Sequence, residues 1–448
     1  MAKNGNRIQP KLRQICIHIC LGLIACMATE SKADLVGHGG IIRAIDFSPD
    51  GRRILTGSFD YSAMIWDFED QIEIARLEGH EGPVTSGLYM NDGNRAITAS
   101  DDGTAIIWDL VSHKPIHTLV GHTHKVMAVA LSADNKIAAT GGWDQKVVLW
   151  DTKTGQKIRE IKQSGPVNAL VFLGNGETFV SGGHDRIIQL FETKTGRPLG
   201  KLEGHLMGIT QLAAAPDGSR LISASIDGTL RLWDVSTFRE IRKLEGHDKQ
   251  IFGLRALKNG LQAVSVGRDG FAIQWDLKTG TMLRKIRAHD GISWAVAASP
   301  DGRFIVSSGS DDRARIWHLN SGDRIGADVN DTNEPKPWLA SDHPGAKLFP
   351  KCAKCHSLTE QGIRRSGPHF ANLFGRKAGS VARYKYSKAL VDVDFYWDET
   401  SLFELFDKGP DKYLPGTKMP VQRVTDKTQL LELIAYLKEL TDQPKAAN

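Results

Sequence analysis

Cys352 and Cys355 stand two residues apart, and His356 follows directly. This C-x-x-C-H pattern is the one that attaches haem covalently. Two thiols add to two vinyl groups on one edge of the macrocycle, and the next residue is placed to send an imidazole nitrogen to the iron. A CxxC pair by itself also serves as a redox disulfide or as half of a zinc site. Here no second CxxC completes a zinc site, no thioredoxin-like strand precedes the pair, and a His adjoins it. Iron held by His on one side needs a sixth ligand to pass electrons with little rearrangement, and Met is one that raises the potential. Met419 is the one methionine beyond residue 340. It lies in the Pro- and Gly-rich stretch Pro415-Gly-Thr-Lys-Met419-Pro, where core packing alone would not call for it.

The elements that must position these ligands are helical. Gly345-Ala-Lys-Leu-Phe349 and Thr428-Gln-Leu-Leu-Glu-Leu-Ile-Ala-Tyr-Leu437 carry apolar residues at three- and four-residue spacing. Further segments are Gly367-Pro368, Leu373-Phe-Gly-Arg-Lys-Ala-Gly379, Tyr384-Lys-Tyr386, Trp397 and Glu432-Leu-Ile-Ala-Tyr-Leu-Lys438. With the haem motif and the Met419 loop, these resemble the mitochondrial-type class I cytochromes c across residues 341–448. The resemblance implies a small all-α domain with one covalent haem c, bound through Cys352 and Cys355 and ligated by His356 and Met419. It implies that the two outer helices cross and that the Pro368 carbonyl orients His356. It also implies that Arg376, Tyr386 and Trp397 meet the haem propionates. Two departures stand out: His369 is a potential exchange ligand, and Phe406 replaces an aromatic hydroxyl near the methionine. Lys351, Lys354, Lys377, Lys412 and Lys418 flank the haem segments in sequence, so the exposed edge is expected to be positive and to steer acidic redox partners.

Ahead of this domain lies a repeat. Gly-His recurs with its histidine at 38, 80, 122, 205 and 247, and Ala288-His289 follows in step. The steps are 42 residues except one of 83, which hides a unit in which Ser164-Gly165 stands in for the pair. Each unit closes on Trp66-Asp67, Trp108-Asp109, Trp150-Asp151, Phe191-Glu192, Trp233-Asp234, Trp275-Asp276 or Trp317-His318. An Asp stands six residues before each closing aromatic (60, 102, 144, 185, 227, 269, 311), and a Ser or Thr stands ten before it. Period and signature resemble the WD40 family, which implies a seven-bladed β-propeller over residues 34–325. In that family these His, Asp, hydroxyl and Trp side chains form a network inside each blade, so the repeated histidines are expected to be structural. Either Asp34-Leu-Val36 or Arg324-Ile325 is expected to complete the last blade. The propeller holds no nucleophile elbow, phosphate loop or distinctive acid pair, and reads as a docking platform. The stretch 326–340, with Pro335 and Pro337, reads as a stiff linker.

Residues 1–33 hold five Lys/Arg against one acid, then an apolar run from Ile15 to Ala25 and a Ser31-Lys-Ala33 cleavage site. That layout is a signal peptide, too short to span a bilayer as a stop-transfer helix. Leu23-Ile-Ala-Cys26 alternatively resembles a lipoprotein box, which would anchor the protein to a membrane at Cys26. Three of the five cysteines lie in this leader, so the body has no disulfide framework. The remainder is nearly neutral, and the propeller is slightly acidic, which excludes nucleic acid as a partner. The expectation is therefore a multidomain periplasmic protein, all-β then all-α, carrying single electrons rather than catalysing. Its expected partners are a quinol-oxidising cytochrome complex and an oxidase or reductase. The alternative is a redox or gas sensor, or a haem peroxidase-type enzyme, with a labile Met419.

Overall fold

The computed structural model describes residues 34–325, 336–353, 356–360, 367–382, 384, 386–417, 419 and 423–441. The leader with Cys26, the linker stretch 326–335, and Cys355, Lys354 and Lys418 lie outside the described residues.

Residues 42–325 form seven four-stranded antiparallel sheets, each built from consecutive strands. The first runs Ile42–Phe47, Arg53–Ser58, Ser62–Asp67, Glu73–Glu78. Strand alternation sends neighbouring side chains to opposite faces, and each face meets a different blade. In the first blade Ile54 and Met64 pack against Ala295, Val306 and Ile316 of the last blade, while Leu55 and Ile65 pack against Tyr89, Ala96 and Trp108 of the second. The core is thus a ring of inter-blade layers, which is why no blade can stand alone.

Closure draws on both ends of the chain. Arg324–Ile325 pairs with Ile316 and Trp317, and Leu35 exchanges backbone hydrogen bonds with Ala314 on the same strand. The carboxylate of Asp34, fully buried, faces Arg313, Arg315 and Arg324 at 3.6, 3.5 and 2.5 Å.

The C-terminal domain packs the helix Lys427–Thr441 and the capped helix Glu399–Lys408 around Phe349, Leu430, Leu433 and Tyr436. The outer helix expected over 345–349 is instead a 3₁₀ turn, Pro344–Lys347, followed by a short helix, Pro350–Ala353. Pro350 disfavours a helical conformation at the residue before it, which breaks the element there. Its crossing with the C-terminal helix is close: a Cβ on Gly345 would sit 2.2 Å from the Glu432 carbonyl oxygen.

Candidate functional site

In the first blade Trp66 Nε1 donates to Thr56 Oγ1 at 2.8 Å, Thr56 lies 2.7 Å from His38 Nε2, and His38 Nδ1 lies 2.8 Å from Asp60. The same chain recurs in the other blades that keep the histidine, for example His205, Ser223, Asp227 and Trp233. Burial alone would raise the Asp60 carboxyl, but the contacts of His38 and Arg76 outweigh it and hold it well below the carboxylate range. Asp102 and Asp227 are held low in the same way, by His80 and Thr104 and by His205 and Thr229. These histidines have both ring nitrogens engaged within the blade, so the structure gives them a structural place.

Blade four shares the histidine's work between two residues. Ser164 bonds Asp185, and Gln163 Oε1 accepts from Ser181 Oγ at 2.7 Å. Phe191, in the tryptophan's position, stacks on Phe179 at 5.1 Å. Pairing Ser164-Gly165 with Gly-His in the sequence hides Gln163, which stands 18 residues before Ser181, the same spacing that His38 keeps to Thr56.

The chemistry-bearing residues of the C-terminal domain meet in one largely apolar cleft. Cys352, His356, Pro368, Arg376, Tyr386, Trp397 and Met419 all line it, with Leu373, Leu402, Leu405 and Phe406. His356 Nδ1 is 2.7 Å from the Pro368 carbonyl. A carbonyl only accepts, so Nδ1 carries the proton and Nε2 keeps the lone pair that a metal needs. Phe370 stacks on the His356 ring at 4.4 Å and fixes its plane. Arg376 donates to the Ala371 carbonyl at 2.8 Å, and burial lowers its guanidinium from the ordinary value. Tyr386 OH accepts from the Val381 N–H at 3.2 Å, and burial raises its phenol. The Ser387 hydroxyl, also on the cleft wall, is buried without a partner among the described residues. His369 faces elsewhere: it does not line the cleft, and its buried Nδ1 has no partner among the described residues. Lys351 and Lys412 are exposed, whereas Lys377 pairs with Asp394 at 2.8 Å.

One wall of this cleft comes from the first propeller blade. Asp60, Tyr61, Ser62, Arg76 and Glu78 complete the lining. Tyr384 is pressed against them: burial pushes its phenol up, the charge of Glu78 adds to the rise, and Arg76 opposes it. No motif announces this contact, since the two segments are some 300 residues apart in sequence.

Fold and cleft define a repeat propeller joined to a small helical domain organised around an imidazole and a thioether. The family profile "WD domain, G-beta repeat" matches residues 29–67, 71–109, 113–151, 155–192, 196–234 and 280–318, and the cytochrome c profile matches 343–441. The unit closing at Trp275-Asp276 falls outside the matched ranges and folds as the same four-stranded sheet. Cytochrome c of Nigella damascena is 40% identical over 98 residues, which are 22% of this chain and 87% of that protein. Cytochrome c of Gibberella zeae is 41% identical over 98 residues, 22% of this chain and 92% of its own length. A cytochrome c homolog of Rickettsia typhi is 36% identical over 99 residues, which span 56% of its length and 22% of this chain. The chain belongs to the WD40 repeat family and carries a C-terminal domain of the cytochrome c family.

Membership in the latter implies a haem, and the cleft fits one. It offers an oriented imidazole, a thioether, the Cys352 thiol and apolar walls. It also offers polar groups suited to carboxylates in Arg376, Tyr386 and the unpartnered Ser387 hydroxyl.

Proposed function

We propose that this protein is an exported single-electron carrier with one covalent haem c, its propeller acting as the platform on which redox partners dock. The observation that carries the reading is the convergence of His356, fixed through Pro368, and Met419 on one apolar cleft that also takes Cys352. Cys352 and Cys355 would anchor the haem, His356 and Met419 would ligate it, Arg376 would offset its propionate charge, and Tyr386 and Trp397 would hydrogen-bond the propionates. When bound, the haem supplies the one-electron couple. The protein's part is to hold both ligands in either oxidation state and to exclude water: Phe370 locks the imidazole plane, and Leu402, Leu405 and Phe406 keep the cleft dry. Exposed Lys351 and Lys412 offer a positive approach to acidic partners, for which a quinol-oxidising cytochrome complex and an oxidase or reductase are our candidates.

Export is supported by the leader and by where it would end. Cleavage after Ala33 makes the buried Asp34 the first residue, so the mature chain keeps the ion cluster that closes the ring. Processing at Cys26 would retain it too and add a membrane anchor; we place the mature protein in the periplasm in either case.

The test is the absorption spectrum of the purified protein, oxidised and reduced, with and without carbon monoxide. A low-spin haem with a methionine-to-iron charge-transfer band and no response to the gas is expected. Met419→Ala should abolish that band and admit carbon monoxide. A wild-type haem that is high-spin or binds the gas overturns the carrier reading in favour of a sensor or peroxidase.

A further inference from the structure

The innermost strands of all seven blades line a central channel of about 420 Å³. Near its start each inner strand is bulged, and the extra residues ring one mouth of that channel. Two of them stitch neighbouring blades together. Thr85 Oγ1 donates to the Val126 carbonyl at 2.5 Å, and Asn168 donates to the Ile209 carbonyl and accepts from Trp143 Nε1. Across the contiguous arc of blades five, six, seven and one the pattern changes. Thr210 Oγ1 and Trp294 Nε1 are buried and have no partner among the described residues. Phe252 stacks on Trp294 at 4.5 Å, and the Arg43 guanidinium lies 4.5 Å from the Trp294 ring.

Arg43 is the odd member of this ring. Among the described residues it has no hydrogen-bond or ion-pair partner. Desolvation inside the funnel pulls its guanidinium down to about 10, opposed by the charge of Asp101. Asp101 is itself engaged by Lys125, and Asp46, deeper in the channel, by Arg255 and the Tyr89 N–H. A desolvated cation stacked on a ring whose N–H lacks an acceptor among the described residues is costly for the free protein, and an incoming anion relieves that cost. On blade five the rim is apolar: Leu206 and Met207, in the loop before the strand that bears Thr210, are 74% and 49% exposed, whereas the corresponding loops of blades six and seven expose Asp248 and Asp290. Arg, Trp and Met on a concave mouth are the residue types that anchor protein interfaces.

We propose that this arc is a carboxylate-binding pocket on the docking face, a reading that rests on the platform function above. Its occupant is an Asp or Glu side chain on an exposed segment of a partner protein. The carboxylate pairs with Arg43, and the apolar residues flanking it cover Phe252, Leu206 and Met207. The mouth lies at the same end of the propeller as the cleft wall: His38, just before the first inner strand, bonds Asp60, whose turn lines the cleft. A segment seated there holds its owner beside the haem domain.

The full haem-loaded chain is titrated calorimetrically with acetyl-Ser-Leu-Glu-Leu-Ser-amide and with the same peptide carrying Gln for Glu. The Glu peptide is expected to bind at least tenfold more tightly than the Gln peptide. Arg43→Gln should erase that difference, and Trp294→Phe, which keeps the ring and removes the N–H, should weaken binding by a smaller factor. Lys427→Gln, on an exposed face of the haem domain, should change nothing. No binding, equal binding of both peptides, an undiminished preference in Arg43→Gln, or loss in Lys427→Gln overturns the proposal. The wild-type comparison stands even if a variant fails to fold. A haem spectrum that fails the six-coordinate test while the Glu preference persists sinks the carrier reading alone; a normal spectrum without the preference sinks this one alone.

Discussion

In the second blade a single hydroxyl, Thr98 Oγ1, meets both Trp108 Nε1 at 2.8 Å and His80 Nε2 at 2.7 Å. Thr98→Val keeps the shape and strands two buried polar groups, each worth roughly 1–3 kcal/mol, so a loss of about 2–6 kcal/mol is expected in urea unfolding. Ser181→Ala, in blade four, strands only Gln163 and should cost about 1–2 kcal/mol. Equal losses in the two variants would contradict the network as described. The acids of the network give it a pH dependence of definite sign. Asp60, Asp102 and Asp227 titrate below their unfolded value. Their contribution is therefore complete above the ordinary carboxylate pKa of about 4 and drains away as the pH falls below it toward the folded values. The urea midpoint should hold from pH 7 to 5 and drop steeply below pH 4; a flat profile to pH 2.5 would remove these carboxylates from the account. The histidines' structural place was legible because equivalent residues recur at a fixed step. Gln163 was not: it holds the histidine's own position, 28 residues before the closing Phe191, but shares neither its residue type nor its preceding glycine.

At the scale of elements, the ring closes with less strand than a blade normally provides. Two residues at one end and one at the other share the outer edge of the last blade, and the buried Asp34 carboxylate ties the two ends to three arginines. Asp34→Asn keeps the volume and leaves those cations without their anion. The arginines are partly exposed, so the loss should lie at the lower end for a broken buried pair, about 3 kcal/mol, read as a lowered unfolding midpoint of the propeller. A change within experimental error would mean that the backbone bridge at Leu35 closes the ring unaided. The seven sheets themselves were readable, since a period of 42 residues with a closing aromatic is a strong signal. Closure was readable only as two alternatives, and both ends contribute. A two-residue strand and a one-residue bridge are too short to carry any periodicity. The same limit explains the first outer helix of the C-terminal domain, where three- and four-residue apolar spacing predicted a continuous helix and Pro350 divides it.

At the scale of the whole molecule, a wall of the haem-type cleft belongs to the propeller, and one residue of that wall occupies an unfavourable backbone conformation. Tyr61 has a φ of 69°, in the left-handed region, at the turn position where the second, fifth and sixth blades have Gly103, Gly228 and Gly270. A bulky residue costs roughly 1–2 kcal/mol there, and glycine costs none. Tyr61 nonetheless stands there, half-buried, on the lining of the cleft. Gln145, Arg186 and Asp312 hold the same turn position with positive φ in the third, fourth and seventh blades, so the strain belongs to the repeat; what sets Tyr61 apart is its place on the cleft lining, where its ring closes the cleft against water. The contact was illegible in the sequence because neither the repeat nor the haem motif encodes the docking of one domain on the other. Tyr61→Gly separates the two roles. It relieves the backbone, so the propeller's unfolding midpoint should not fall. It also opens the cleft to solvent, which favours the more highly charged ferric state, so the haem midpoint potential should move down in a spectroelectrochemical titration. Leu206→Ser, a rim change that leaves the cleft lining intact, should leave the potential unchanged. An unaltered potential in Tyr61→Gly would mean that the propeller does not wall the haem in solution and acts on its partners alone.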